Sequence, residues 1–77
     1  MKIRFFAAAA AAANTRYVEL PTGTLAELMS TCSEENTDLA RILPLCSYLV
    51  DGVANHDMNS LIPSGSEVDV LPKFAGG

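Results

Sequence analysis

The sequence predicts one α+β domain in which a helix packs on one face of a mixed β-sheet. Three features indicate this fold: two alternating segments at the start, an amphipathic helix after them, and further alternating segments towards the end. Strands that precede and follow a single helix favour a sheet covered on one face. The length of 77 residues leaves room for one domain and little room for an enclosed active site.

The first predicted strand comprises residues 2–6. Ile3 and Phe5 lie on one face of it, and Arg4 and Phe6 lie on the other. This alternation of side chains is typical of a half-buried strand.

A run of alanines separates this strand from the next one. The run Ala7–Ala13 is shorter than the roughly 12 residues that an isolated helix needs in water, so a loop or a single helical turn is expected. We expect it to be neutral filler. Asn14 tolerates the left-handed conformation and predicts a tight turn. Residues 16–20 alternate again and end at Pro21, which predicts an antiparallel hairpin with a long loop.

The strongest helix signal begins at Thr24. Thr24 and Glu27 have the spacing of a capping box, in which each side chain satisfies an unpaired amide of the other. The apolar residues that follow recur at helical spacing and predict a buried stripe of Leu25, Leu28, Met29 and Cys32. Residues 37–43 predict a further turn or short helix that stops at Pro44.

The second half of the chain predicts three more strands. Residues 47–50 and 53–55 flank Asp51-Gly52, a pair typical of a two-residue hairpin turn. Leu61-Ile62 is predicted to be a small apolar plug. The last strand, residues 67–71, alternates and should direct Val68 and Val70 inward.

The charge balance excludes several classes of function. Nine acidic residues against five basic residues give an isoelectric point near 4.6. Nucleic-acid-binding modules need a basic face, and anionic membranes attract basic segments, so neither partner is expected. The sequence contains no run of about 20 apolar residues that would span a membrane. We expect a cytoplasmic location.

The cysteines and the single histidine do not form a recognisable site. Cys32 and Cys46 lie far apart and outside any paired metal-ligand spacing, and His56 stands alone. One disulfide is possible by count, but two buried thiols acting as small apolar groups are expected. We read His56 as a turn residue, and we expect no metal and no bound cofactor.

The ending Gly76-Gly77 completes a pattern that runs through the whole chain. Its parts are residues 5–7 (Phe-Phe-Ala), 17–21 (Tyr-Val-Glu-Leu-Pro), 24–28, 65–68 and 71–77. With these motifs the sequence resembles the ubiquitin-like β-grasp sulfur carriers of the ThiS/MoaD family. It is most similar to MoaD-type small subunits of molybdopterin synthase, although Lys73 stands where those chains commonly have a second proline.

The resemblance implies a β-grasp domain over residues 1–72 and a flexible reactive tail over residues 73–77. It also implies that the terminal carboxylate of Gly77 carries the sulfur, as a thiocarboxylate. Phe74, Ala75 and Gly76 would then thread into the partner's site. The implied partners are a MoaE-type large subunit, a MoeB-type adenylating enzyme that uses ATP and Mg²⁺, and a persulfide sulfur donor.

Strand parity adds a candidate docking patch. Phe6 and Leu71 should face away from the helix, on neighbouring edges of the sheet, and outward apolar groups indicate partner contact.

Three alternatives remain open beside molybdopterin synthesis. They are sulfur transfer for thiamine or another pathway, a ubiquitin-like modifier joined to lysines through Gly77, and a binding module whose tail has no chemistry.

Overall fold

The computed structural model describes residues 1–34 and 36–73. Within these ranges the chain forms seven β-strands and three α-helices. In chain order they are β1 (Lys2–Phe5), α1 (Ala7–Ala13), β2 (Tyr17–Glu19), β3 (Gly23–Thr24), α2 (Leu25–Ser33), α3 (Thr37–Ile42), β4 (Cys46–Val50), β5 (Val53–Ala54), β6 (Leu61–Ile62) and β7 (Glu67–Pro72). A 3₁₀ turn at Leu43–Leu45 joins α3 to β4.

Five strands form one mixed sheet in the order β2-β1-β7-β4-β5. The central neighbours β1 and β7 are parallel, whereas β1–β2, β4–β7 and β4–β5 are antiparallel. The predicted hairpin of the first two strands is therefore confirmed. Strands β3 and β6 form a separate antiparallel ladder beside the start of α2.

The core lies between this sheet and the helices. In the parallel pair Ile3 lies opposite Val68 and Phe5 lies opposite Val70, and all four side chains are buried. The helices contribute Leu28 and other apolar groups to the same cluster, so the predicted inward face of both strands is confirmed. No helix in the described part is long and apolar enough to cross a membrane.

The start of α2 has the predicted capping box. The Glu27 amide donates to Thr24 Oγ1 at 3.1 Å, and the Thr24 amide donates to Glu27 Oε1 at 2.8 Å. Both hydrogen bonds with Thr24 lower the pKa of the Glu27 carboxyl, and the bond from the Thr24 backbone has the larger effect. Leu25, Leu28 and Met29 are buried as predicted, while Cys32 at the end of the stripe is half-buried.

The prediction for the alanine run was wrong, because Ala7–Ala13 is a helix. Seven residues do not form a stable helix alone, so tertiary contacts must supply its stability. Ala9 is fully buried, and Asn36 Nδ2 donates to the carbonyl of Ala12 at 2.8 Å. Asn14 ends the helix in the left-handed conformation, with φ of 56°, and its amide donates to Ala11 O. Small side chains allow this helix to lie close to the sheet.

The strands that follow α3 agree with the prediction except at Leu61 and Ile62. Asp51 and Gly52 both have positive φ, 50° and 83°, which confirms the two-residue hairpin turn. Leu61 and Ile62 are not a plug but the short strand β6. Since a strand directs successive side chains to opposite faces, Ile62 is buried and Leu61 is 69% exposed.

Both cysteines are free thiols in the core region. Cys46 is buried and Cys32 is half-buried, and burial raises the pKa of each thiol. The Tyr48 hydroxyl donates to the carbonyl of Leu43 at 2.5 Å, and burial raises its pKa to about 12. These groups are held in their neutral forms, as expected for packing residues.

Replacement of the α2 cap tests the contribution of this local structure. Thr24→Ala removes the Oγ1 acceptor of the Glu27 amide and should lower the free energy of unfolding by about 1 kcal/mol, measured by urea denaturation. Ser30→Ala, at an exposed position of the same helix, is the control and should be neutral or slightly stabilising. Equal losses for both variants would contradict the role given to the cap.

Candidate functional site

The sheet face opposite the helices is the candidate site, and we call it the open face. Its side chains alternate with the buried ones, so they project away from the core. They are Lys2, Arg4, Tyr17, Glu19, Ser47, Leu49, Glu67, Asp69 and Leu71. In the described part of the chain the three helices bury their apolar residues in the core on the other side.

An ion pair ties the two central strands together on this face. Arg4 Nε donates to Asp69 Oδ1 at 2.8 Å and Arg4 Nη2 donates to Asp69 Oδ2 at 3.1 Å. The two residues are register partners in the parallel pair, and Glu67 lies at 4.0 Å from Arg4 Nε. The hydrogen bond and the charge of Asp69 raise the pKa of the Arg4 guanidinium. The two hydrogen bonds direct the Arg4 guanidinium towards Asp69.

Two aromatic side chains lie under basic groups of the open face. The Lys2 ammonium lies 4.4 Å from the centre of the Tyr17 ring, and the Arg4 guanidinium lies 5.6 Å from that of Phe6. Both distances are within the range of a cation–π interaction. Tyr17 is 54% exposed and Phe6 is 38% exposed, so both rings remain available to a partner.

Phe6 is held at the corner between β1 and α1 by its own backbone. Its amide donates to Val70 O at 3.1 Å, and its carbonyl accepts from the Ala9 amide at 3.0 Å. The next residue, Ala7, has φ of 50°, a left-handed conformation that is unfavourable for alanine. This sharp turn sends the chain into α1 and leaves the Phe6 ring outside the core.

Leu71 lies beside Phe6. Phe5 and Val70 are register partners, and Phe6 and Leu71 are the residues that follow them on the two parallel strands. Leu71 is half-buried and lies opposite Ser47 of β4 on its other side. The structure thus brings the two residues of the predicted docking patch together, while their contact with a partner remains a prediction.

The chain leaves the sheet at the same end. Pro72 pairs with Cys46, and the Lys73 amide then donates to the carbonyl of Leu45 at 3.1 Å. The predicted reactive and threading residues come next and lie outside the described residues: Phe74, Ala75, Gly76 and Gly77. The residues that precede them emerge beside the Phe6–Leu71 patch.

Two exposed residues of this region, Leu45 and Tyr17, were not predicted from the sequence to be part of the site. Leu45 is 50% exposed beside the exit of the tail, and Tyr17 extends the aromatic surface on the edge strand. Alternation alone places Tyr17 on the same face as Glu19, which was a usable signal. No sequence signal places Leu45, because its position depends on the pairing of Pro72 with Cys46.

His56 lies exposed between β5 and β6, as the turn interpretation expects. Over residues 1–34 and 36–73, no three histidine, cysteine, aspartate or glutamate side chains group in a way that could hold a metal ion.

Solved structures of known proteins share this architecture. Small archaeal modifier protein 1 of Methanosarcina acetivorans superposes with a TM-score of 0.85 at 17% identity, covering 99% of this chain and 94% of that one. The corresponding protein of Haloferax volcanii gives a TM-score of 0.81 at 20% identity, covering 100% and 98% of the two chains.

A third similar structure is a complex of two proteins. It contains subunits 1 and 2 of the molybdopterin-converting factor of Helicobacter pylori, and the match has a TM-score of 0.72 at 21% identity, covering 99% and 96% of the two chains. No family model and no curated protein sequence matches this chain. Together with the strand order, the structural similarities show that the fold is the ubiquitin-like β-grasp.

Proposed function

We propose that this protein is a sulfur carrier that acts through the carboxylate of Gly77, as the small subunit of a molybdopterin synthase. The observation that carries the proposal is the place where the described chain ends, at Lys73. Strand β7 leads from the buried centre of the sheet to Lys73, beside the exposed Phe6 and the half-buried Leu71. A partner that binds over Phe6 and Leu71 would therefore be close to the point at which the chain continues beyond Lys73.

The proposed chemistry needs partners because a carboxylate is a poor acyl donor. An adenylating enzyme of the MoeB type would transfer AMP from ATP, with Mg²⁺, to the Gly77 carboxylate and release pyrophosphate. The terminal sulfur of a persulfide would then displace AMP, and cleavage of the resulting sulfur–sulfur bond by a thiol would leave a thiocarboxylate. A MoaE-type large subunit would use this nucleophile to build the dithiolene of molybdopterin.

This chain would bind the partner through its folded domain and would extend its terminal glycines into the partner's active site. The Arg4–Asp69 pair and the buried β1–β7 contact join the two central strands of the open face, to which a partner would bind. Glycines at positions 76 and 77 carry no Cβ and fit a narrow channel. The similarity to a subunit that was solved in complex with a second subunit supports a large-subunit partner. We place this chemistry in the cytoplasm.

A second candidate is a ubiquitin-like modifier. The similarity to two small archaeal modifier proteins favours it, since the fold and the exit of the tail suit conjugation equally well. In that case the activated Gly77 carboxylate would form an amide with a lysine of another protein. Sulfur transfer for thiamine or another pathway would use the same activated end.

Intact-mass measurement tests the reaction directly. Incubation of the chain with ATP, Mg²⁺, a MoeB-type enzyme and a persulfide donor should replace one oxygen of the chain by sulfur, located at Gly77 by fragmentation. The control omits ATP and should show no change. Isopeptide conjugates with lysines instead of sulfur would favour the modifier, and an unchanged mass would support a binding module without tail chemistry. Activity with a MoaE-type subunit distinguishes the molybdopterin pathway from the others.

The cysteines should be dispensable for sulfur uptake. Both thiols have pKa values raised by burial and are poor nucleophiles, so we expect the folded double variant Cys32→Ala, Cys46→Ala to accept sulfur as the wild type does. The same mass measurement checks this. Failure of a double variant with native circular dichroism would place the carried sulfur on a cysteine.

Phe6→Asp tests the docking patch. The ring lies outside the core, so an aspartate there should weaken binding to a MoaE-type subunit at least about tenfold by calorimetry, with the melting temperature almost unchanged. Met58→Asp is the matched control, because Met58 is also 38% exposed but lies between β5 and β6. A large loss of melting temperature for Phe6→Asp, or equal loss of binding for both variants, would contradict the assignment.

A further inference from the structure

Strand β2 forms one edge of the five-stranded sheet. It pairs with β1 on one side, and over residues 1–34 and 36–73 no strand lies on its other side. Tyr17 and Glu19 are exposed along this edge, and Val18 between them is half-buried. An uncovered edge strand can pair with a strand of another chain through its backbone. The outer side of β2 is therefore a surface that the proposed function does not use.

The hydrogen bonds to β1 follow a fixed alternation along β2. The Phe5 amide donates to Arg16 O at 2.7 Å, and the Leu20 amide donates to Met1 O at 2.9 Å. Every second residue of an antiparallel strand bonds to the same neighbouring strand. Val18, midway between Arg16 and Leu20, therefore directs its N–H and C=O groups towards β1.

The residues on either side of Val18 direct their backbone groups outward. Because the alternation assigns Val18 to β1, the N–H and C=O groups of Tyr17 and Glu19 point away from the sheet. The Tyr17 carbonyl accepts a hydrogen bond from Thr15 Oγ1 at 3.1 Å, which agrees with this direction. A backbone carbonyl has two lone pairs, so a second donor can still bind there.

These outward groups are complementary to those of a second copy of the same strand. With a two-fold axis at Val18, Tyr17 of each copy lies opposite Glu19 of the other, and each such pair exchanges two backbone hydrogen bonds. The two Val18 residues then form the central pair, which has no hydrogen bonds of its own. In such a pair the Cα atoms lie about 4.5 Å apart and the side chains are close, so the two apolar groups pack together.

Charge and sequence select this register among the two-fold arrangements. An axis at Glu19 would place two carboxylates opposite each other, which is destabilising, and would place Pro21, which has no N–H, opposite Tyr17. An axis at Tyr17 would pair Glu19 with Thr15, which lies outside the strand. The axis at Val18 keeps the pairing within β2 and leaves no like charges opposite each other.

We propose that two copies of this chain associate through their β2 edges, which joins their five-stranded sheets into one. The contact is short, since β2 has three residues, so the association is weak and needs a high protein concentration. The two-fold axis reverses the direction of the strands, so the Phe6–Leu71 patches of the two copies lie at opposite ends of the contact. The inference goes beyond the proposed function and does not depend on it.

Sedimentation equilibrium and hydrogen exchange between about 10 µM and about 1 mM protein test the proposal. The average mass should rise towards that of a dimer. Over the same range the exchange of the Tyr17 and Glu19 amides should slow, while that of the Val18 amide, which is bonded to β1 in each copy, should change little. A monomer at the highest concentration, or a dimer without slower exchange at Tyr17 and Glu19, would overturn the proposal.

Two variants at position 19 provide the matched comparison. Glu19→Pro removes an outward N–H and no bond to β1, so the fold should persist while dimerisation weakens at least about tenfold. Glu19→Thr retains the N–H and should dimerise as the wild type does. Both variants lose the ion pair of Glu19 with the N-terminal amine at 3.6 Å, so their difference isolates the N–H.

Equal dimerisation of the two folded variants would place the contact elsewhere and overturn the proposal. If circular dichroism shows that Glu19→Pro does not fold, the exchange rates of the wild-type amides decide the question alone. Sulfur uptake at Gly77 does not involve β2, and we expect Glu19→Thr to accept sulfur normally. Failure of sulfur uptake by the wild type would therefore refute the proposed function and leave the dimerisation result unaffected.

Discussion

The parallel pairing of β1 with β7 is the constraint on which the rest of the structure depends. It brings residues near the two ends of the chain into the centre of the sheet, where Ile3, Val68 and Val70 are fully buried. The helices pack on the inner face of this pair, and the outer strands add to its two sides. Loss of this contact would remove the support of both the core and the open face. A domain of this size has a stability of only about 4–12 kcal/mol, so few buried contacts can be lost.

The same pairing determines where the candidate functional surface lies. Because the two strands run in the same direction, the end of β1 and the end of β7 meet at one edge of the domain. Phe6 turns outward there, Leu71 lies beside it, and the chain continues past Lys73 from the same place. A protein of 77 residues has little room to enclose reactants. The arrangement suits the proposed function, in which Gly77 is presented to the active sites of partner proteins.

Local patterns predicted much of this architecture. The capping box of Thr24 and Glu27, the Asp51-Gly52 turn and the inward parity of Val68 and Val70 depend on neighbours within a few residues, and all were confirmed. The alanine helix was missed because its stability comes from Ala9 in the core and from Asn36, which is distant in sequence. Leu61 was misplaced because its pairing with Thr24 spans nearly half the chain.

The residues of the candidate site fall into the same two groups, those that local alternation predicts and those whose positions depend on distant contacts. Strand parity alone placed Phe6 and Leu71 facing away from the helices, but the position of Leu45 beside Lys73 depends on how distant segments meet. Alternating segments predict which face a side chain occupies. They do not predict which residues from other strands lie next to it, and a binding surface consists of such neighbours.

The central claim is that the body of the domain provides stability and binding while the chemistry resides at Gly77. A chain lacking Gly77, measured for urea unfolding and for sulfur uptake on the same sample, tests this most directly. The account predicts an unfolding midpoint equal to that of the full chain and no uptake of sulfur. Uptake by the shortened chain, or a clear fall in its unfolding midpoint, would contradict it.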